Sequence, residues 1–130
     1  MEFMEKCERL AKILGEQLHA DYTASAKSTY NRRDFKSFDG KTPDEMLEIW
    51  EQNIGSEIKA VVIPGKKYTK IDVCLPQQSG RYMVVNETGE IFGIKAYGVI
   101  HKGHQYGTLD TIDQYYWGDY TARKLRGGVN

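Results

Sequence analysis

The chain has few of the residues that hold small secreted or metal-binding domains together. Only two of its 130 residues are cysteines. Cys7 and Cys74 are isolated and form no CxxC pair, so we expect reduced core thiols rather than a disulfide or zinc ligands. No apolar run approaches the length of about 18 residues that a membrane span needs. The acidic N-terminus lacks the basic residues that open a secretory signal. The sequence therefore predicts a cytoplasmic protein with no membrane partner.

An excess of charge of one sign is also missing. The formal net charge is zero, which argues against a dedicated non-specific DNA binder, and we expect no specific DNA binding either. The charges are unevenly placed, however. Residues 1–60 carry 12 acids and 9 bases, whereas residues 61–130 carry 6 acids and 9 bases. A basic C-terminal half suits a small anionic ligand better than a long polyanion.

Two amphipathic helices are predicted in the N-terminal part. The first covers residues 3–20, where apolar side chains recur at spacings of three and four. The second begins at Thr42, which is followed by Pro43 and by Glu45, the sequence of a capping box. In residues 22–41 the apolar residues show no regular spacing, and we expect a long connection there that is either mobile or engaged in binding.

From residue 57 onwards, apolar residues recur at every second position, which is the pattern of β-strands. Strands are predicted at residues 58–63 and 68–73, followed by a hairpin that joins residues 81–85 to 90–95. A glycine-rich loop and a short helix over residues 109–117 complete the pattern. The predicted fold is α+β: two N-terminal helices followed by an antiparallel β-sheet and a short C-terminal helix. We expect a single domain, residues 1–130, with a helical part (1–55) and a β-rich ligand-binding part (56–130).

The stretch most indicative of function is residues 95–120. It holds six of the fifteen aromatic residues and two of the three histidines, interrupted by Gly98, Gly103 and Gly107. Glycines let the backbone approach a ligand closely. Aromatic faces stack on bases, and Lys and His side chains donate to phosphates. The stretch therefore predicts a binding loop for a small phosphorylated nucleotide.

Each candidate in or near this stretch has a proposed role. The predicted phosphate donors are Lys95, His101, Lys102 and His104, together with Arg81 or Arg123. The predicted contacts to a base or ribose are Phe92, Tyr97 and Tyr106, with Thr108 or Asp110 available to hydrogen-bond ribose hydroxyls. Phe92 and Trp117 are equally well explained as core residues, and the glycines as turn formers.

Other functions fit parts of the same stretch. His101 and His104 supply half of a metal site, which needs further ligands from Asp110, Asp113 or His19; nothing in the sequence enforces that, so no metal or cofactor is predicted. The histidines could instead serve a nucleotide-processing enzyme, although no nucleophile motif accompanies them and no catalytic residue is assigned. A protein-interaction inhibitor, such as an anti-CRISPR, could dock through Tyr115, Tyr116, Trp117 and Tyr120.

Residues 66–107 also resemble a known family. A KYxKI-type strand, Lys67–Ile71, precedes a hairpin that ends in a TGxIF motif, Thr88–Phe92, followed by Lys95 and Tyr97. This arrangement resembles the first type of Thoeris anti-defence protein, a phage protein. The resemblance implies sequestration of cyclic ADP-ribose-type signals, and of cyclic oligonucleotides as a further class, without cleavage. It also implies ligand sites between subunits of a homo-oligomer. Residues 22–41 and the YYWGDY segment have no counterpart in that pattern.

Overall fold

The described residues form two α-helices, a five-stranded antiparallel sheet and a small two-stranded sheet. A computed structural model describes residues 2–36, 39–75, 77–117 and 122–125. Its elements are α1 (Phe3–Tyr30), α2 (Pro43–Asn53), β1 (Lys59–Ile63), β2 (Tyr68–Cys74), β3 (Gln78–Val85), β4 (Glu90–Ala96), β5 (Val99–Thr108), β6 (Tyr115–Tyr116) and β7 (Arg123–Lys124), with single 3-10 turns at Gly55–Glu57 and Ile112–Gln114. The α+β class is the one that the sequence predicts.

Helix α1 is ten residues longer than predicted. Its first half buries Cys7, Leu10, Leu14 and Leu18, as the spacing requires, but beyond Leu18 only Ala26 is buried. In the second half, apolar side chains therefore do not recur at helical spacing, and the sequence pattern gives no indication that the helix continues. The helix ends at Asn31, whose side-chain amide donates to the Lys27 carbonyl at 2.8 Å. The prediction of a connection over residues 22–41 is wrong for residues 22–30, which are helical.

Helix α2 begins with the predicted capping box. The Glu45 amide donates to Thr42 Oγ1 at 3.2 Å, and the Thr42 amide donates to Glu45 Oε1 at 3.0 Å. The hydrogen bonds from Thr42 lower the pKa of Glu45, because they favour its charged form. The apolar stripe of this helix is only partly buried. The N-terminus of α2 is thus fixed by its cap more than by core packing.

The sheet is a meander in which strands adjacent in sequence are paired, in the order β1-β2-β3-β4-β5. Alternation along the strands gives it two different faces. One face packs against α1 through side chains that include Ile71, Val73, Tyr82, Val84 and Ile91. The opposite face carries Met83 and Phe92, which are cross-strand partners, together with the charged residues Lys70 and Asp72.

The C-terminal segment lies alongside α1 instead of forming the predicted helix. Only a 3-10 turn forms, and β6 then pairs with β7. Four polar contacts join the segment to α1: Lys6 to Asp110 (2.6 Å), Arg9 to Asp113 (2.8 Å), the Tyr116 hydroxyl to Asp21 (2.6 Å) and the Trp117 amide to Gln17 Oε1 (2.7 Å). These contacts hold an extended segment in place while Ile112 and Trp117 enter the core.

The predicted glycine-rich loop is instead the edge strand β5. It is irregular, with register shifts along most of its pairing with β4. No helix in the described part of the chain combines the length and apolar character that crossing a membrane requires.

Candidate functional site

A cleft lies where β3, β4 and β5 come together at one end of the sheet. Its volume is about 290 Å³. The lining consists of Ser79, Gly80, Arg81, Tyr82, Gly93, Ile94, His104 and Tyr106. Three of these residues, Arg81, His104 and Tyr106, are among those predicted to bind a ligand. We call this the β3–β5 cleft.

A β-bulge positions Arg81 at the cleft. Ile71 pairs with Tyr82, whereas the next residue of β2, Asp72, pairs with Gly80. Arg81 is therefore an extra residue of β3, inserted between the two residues that pair with Ile71 and Asp72. Bulges of this kind bend the strand and redirect side chains away from the regular alternation. The bulge thus allows a cationic side chain to line the cleft beside the buried Tyr82.

A larger irregularity in β5 positions the histidines. Gly93 pairs with His101, but the preceding residue of β4, Phe92, pairs with Gln105. Lys102, Gly103 and His104 are therefore extra residues on β5. The excursion folds His104 back onto His101, and the two imidazole rings stack with centroids 4.0 Å apart and an interplanar angle of 11°.

Two glycines in the lining permit this close packing. A Cβ on Gly93 would lie 3.3 Å from Tyr106 Cε2 and 3.5 Å from His104 Cβ. A Cβ on Gly80 would lie only 2.8 Å from Ile94 Cδ1 and 3.1 Å from Tyr97 Cδ1. Side chains at either position would displace the residues that shape the cleft.

An aromatic cluster connects the cleft to the core. Tyr106 meets Tyr82 edge-on at 5.5 Å between ring centroids, and Tyr82 meets Trp117 in the same way at 5.2 Å. Tyr82 and Trp117 are fully buried. Burial raises the pKa of Tyr82 to about 12, although the neighbouring Arg81 charge acts in the opposite direction. The phenol is therefore neutral at physiological pH, and the cleft has a rigid aromatic floor.

The polar groups of the cleft suit an anion. Arg81 supplies a permanent positive charge with several N–H donors, and His104 is exposed at the rim. Behind it, His101 Nδ1 is buried with no hydrogen-bond partner among the described residues. The lining includes no Asp or Glu side chain, so nothing within it repels a phosphate.

The structure places several other predicted residues away from the cleft. Phe92 pairs with Met83 and therefore points away from the face that carries Tyr82. Lys95 and Lys102 are exposed and are not part of the lining. Thr108 is the last residue of β5 and leads into a turn, where its hydroxyl accepts from the Asp110 amide at 3.2 Å. The Arg123 guanidinium lies over the Tyr116 ring at 5.2 Å.

The residues considered for a metal site are dispersed. Asp110 and Asp113 form ion pairs with Lys6 and Arg9, while His19 Nε2 lies 2.6 Å from Glu51. Among the described residues, no group of three or more His, Cys, Asp or Glu side chains is arranged to hold a metal ion.

The aromatic residues considered for docking are largely occupied within the chain. Trp117 has no exposed surface, and its indole N–H donates to the Ile112 carbonyl at 2.9 Å. Tyr115 packs against Trp117, with ring centroids 5.5 Å apart. Tyr120 lies outside the described residues.

Sequence reasoning missed Asp72, a fully buried charged residue beside the cleft. It lies in β2, YTKIDVC, where a carboxylate between the apolar residues Ile71 and Val73 is the sequence feature that indicates an unusual position. The roles of Gly80 and Gly93 were also missed, because they depend on the bulges, and no local pattern specifies those.

A second cavity, of about 410 Å³, lies between α1 and β1. Its lining includes Gly15 and His19 as well as charges of both signs, Lys12, Glu16 and Lys59. Ligand sites are distinguished by convergent polar groups rather than by volume alone. The β3–β5 cleft is therefore the stronger candidate, although it is smaller.

Comparison of the chain with protein-family models, with curated proteins and with solved structures gives no match.

Proposed function

We propose that this protein is a phage anti-defence protein that binds a cyclic nucleotide immune signal in the β3–β5 cleft and sequesters it without cleaving it. The observation that carries the proposal is the convergence of Arg81, His104 and Tyr106 on one cleft. These side chains come from two strands and are brought together by two independent irregularities of the sheet.

The phosphate of the ligand is bound by Arg81 and His104. A guanidinium forms paired hydrogen bonds with phosphate oxygens, and each charge-assisted bond is stronger than a neutral one. The packing of His104 on His101 limits the conformational freedom that its side chain loses when the ligand binds.

The sugar or base of the ligand lies against Tyr106. Its ring is half-buried and held by Tyr82 and Trp117, so it presents a fixed surface. The cleft, at about 290 Å³, is close to the lower limit of small-molecule sites. It accommodates one nucleotide unit, and the rest of a larger cyclic ligand extends past the β5 edge.

The position of β5 supports assembly into a homo-oligomer. Among the described strands, β5 pairs only with β4, and an open edge is suited to pairing with another chain. A second subunit beside β5 would cover the part of the ligand that the cleft leaves exposed. The ligand site would then lie between subunits.

The test is to analyse what the protein retains and releases. The protein is incubated with cyclic ADP-ribose and cyclic dinucleotides, freed of unbound ligand and denatured, and the released material is identified by mass spectrometry. Recovery of intact ligand supports sequestration, whereas altered ligand indicates an enzyme. Recovery of none favours a protein-interaction inhibitor.

Variants locate the ligand. His104→Ala combined with Arg81→Gln removes both phosphate donors, and we expect ligand retention to be lost while the circular dichroism spectrum is preserved. The matched control is Lys124→Gln, which removes one positive charge at an exposed position of β7. Retention unchanged in the double variant would reject the assignment to the cleft.

A further inference from the structure

A second polar cluster borders the cleft at Gly80, where β3 and β4 are no longer paired beyond the Tyr82–Gly93 pair. Asp72, at the centre of β2, has no exposed surface. Its Oδ2 accepts two hydrogen bonds, from Gln78 Nε2 at 3.0 Å and from the Tyr97 hydroxyl at 3.1 Å. Its Oδ1 is buried with no partner among the described residues. A buried carboxylate oxygen without a donor is unfavourable and calls for an explanation.

Tyr97 covers this carboxylate but is itself held loosely. It lies at the β4–β5 turn beside Gly98, which has a positive φ of 76°, and 58% of its surface is exposed. Its ring makes a cation–π contact with Lys70, whose Nζ lies 4.6 Å from the ring centroid. The hydrogen bond to Asp72 raises the pKa of Tyr97, which keeps the hydroxyl protonated as a donor.

The cluster is continuous with the cleft through Gly80. This glycine is the cross-strand partner of Asp72 and also lines the cleft. The Tyr97 ring lies directly over it, since a Cβ on Gly80 would be 3.1 Å from Tyr97 Cδ1. A ligand that has its phosphate in the cleft and extends past Gly80 would bring its neighbouring group close to Tyr97 and Asp72.

The hydrogen-bonding capacity of Asp72 indicates which chemical group of a ligand it can bind. A carboxylate with one free oxygen, and a second oxygen occupied by a displaceable hydroxyl, is matched by a planar edge that carries two adjacent N–H donors. Guanine has such an edge, and so does a guanidinium group. The positive charges of Lys70 and Arg81 disfavour a cationic guanidinium, whereas guanine is neutral and its nucleotides carry phosphate. Adenine has no such pair of donors.

We propose that Asp72 and Tyr97 form a guanine-recognition subsite that extends the β3–β5 cleft. This inference rests on the proposed nucleotide binding. When no ligand is bound, the Tyr97 hydroxyl donates the hydrogen bond to Asp72 Oδ2 that an N–H group of the ligand would otherwise supply. When ligand binds, Tyr97 moves off Asp72 and stacks on the base, and the two N–H groups of guanine satisfy both carboxylate oxygens. Among the immune signals considered above, this favours guanine-containing cyclic oligonucleotides over cyclic ADP-ribose.

The test compares cyclic GMP, cyclic IMP and cyclic AMP as calorimetric probes. Inosine keeps the ring N–H of guanine but lacks its amino group, so its affinity should fall between the other two. We expect the wild-type protein to prefer cyclic GMP over cyclic AMP by about tenfold or more. Asp72→Asn should abolish the preference and leave the affinity for cyclic AMP unchanged. A preference that persists in Asp72→Asn would overturn the inference.

Tyr97 provides a second test with opposite outcomes. Tyr97→Phe removes the hydroxyl that competes for Asp72 but keeps the stacking ring, so binding of cyclic GMP should become tighter. Tyr97→Ala removes the ring as well and should weaken binding of cyclic GMP. Weaker binding by Tyr97→Phe, or none of the expected change in Tyr97→Ala, would contradict the subsite.

The design separates the two proposals. If the wild-type protein binds all three probes equally and His104→Ala weakens all three, the cleft binds nucleotides but the guanine subsite is rejected. If no probe binds the wild-type protein at millimolar concentration, nucleotide binding is itself rejected for these probes, and the subsite with it.

Discussion

His104 packs face to face on His101, with ring centroids 4.0 Å apart and planes within 11° of parallel. The rings are three residues apart on a strand, a spacing that would place them on opposite faces if β5 were regular. The excess residues of β5 opposite Phe92 and Gly93 remove that alternation. His101 thus supports a side chain that is otherwise exposed at the rim of the cleft.

The stack predicts different outcomes for two substitutions of His101. Phenylalanine keeps a flat ring under His104, and it removes no protein hydrogen bond at Nδ1, which has no partner among the described residues. We expect His101→Phe to bind ligand nearly as well as the wild type. His101→Ala removes the stack, which is worth about 0.5–1.5 kcal/mol, and should weaken binding by up to about tenfold. Equal affinities of the two variants by calorimetry would show that His101 does not position His104.

Gly93 sets the depth of the cleft. A Cβ there would lie 3.3 Å from Tyr106 Cε2, and the branched side chain of valine would push Tyr106 and His104 outward. We expect Gly93→Val to weaken ligand binding by about tenfold or more and to destabilise the fold by about 1–3 kcal/mol. Calorimetry and urea unfolding measure the two effects. Ala96→Val, on the same strand but exposed, is the control and should change neither quantity.

The environment of Cys7 predicts a pH-dependent reactivity. Burial, with a smaller contribution from Glu8, raises the pKa of the Cys7 thiol to about 11. The folded protein therefore holds this proton more tightly than the unfolded chain. The resulting stabilisation is complete below the pKa of the unfolded thiol and is lost as the pH rises towards 11.

Alkylation measures this protection. In a Cys74→Ser background, iodoacetamide at pH 9 should modify Cys7 slowly in the native protein and rapidly in urea, as followed by mass spectrometry. Rapid modification of the native protein would show that the thiol is neither buried nor protonated as described.

Trp117 is predicted to stabilise the fold rather than to bind a partner. It is completely buried and contacts Tyr82, Tyr106 and Tyr115. Replacing a buried tryptophan by alanine costs about 3–5 kcal/mol, so Trp117→Ala should lower the urea midpoint strongly. Leu125→Ala, at an exposed position of the same segment, should change stability by about 0.5 kcal/mol or less. A Trp117→Ala variant of unchanged stability would restore this residue as a docking candidate.

Much of the fold could be predicted because the signals were local. The capping box of α2 and the alternation of the β3–β4 hairpin appear in the sequence and in the structure. The second half of α1 could not be predicted, because it buries almost no apolar surface. The segment after Leu109 has helix-compatible residues, but contacts to α1 from Asp110 and Trp117 hold it extended. These contacts span about a hundred residues of sequence, beyond the reach of any local pattern.

The candidate site was predictable only in part, for a related reason. The region around His104 and Tyr106 was identified from its composition, and the structure brings both residues to the cleft with Arg81. The sequence could not predict which of the basic candidates reach the cleft, because that depends on the bulges that remove Arg81 and His104 from the regular ladder. Lys95 and Lys102, equally basic in sequence, remain outside the cleft, and Lys102 does so although it belongs to the same irregular part of β5 as His104.

The most direct measurement of the central proposal uses the three histidines as reporters. His104 lines the β3–β5 cleft and His101 is stacked against it, whereas His19 lines the cavity between α1 and β1. In an NMR titration of histidine-labelled protein with cyclic GMP, cyclic di-GMP and cyclic ADP-ribose, a bound nucleotide should shift the imidazole resonances of His101 and His104 and leave those of His19 unchanged. Shifts confined to His19, or no shift of any histidine with any of the three nucleotides, would contradict nucleotide binding in the β3–β5 cleft.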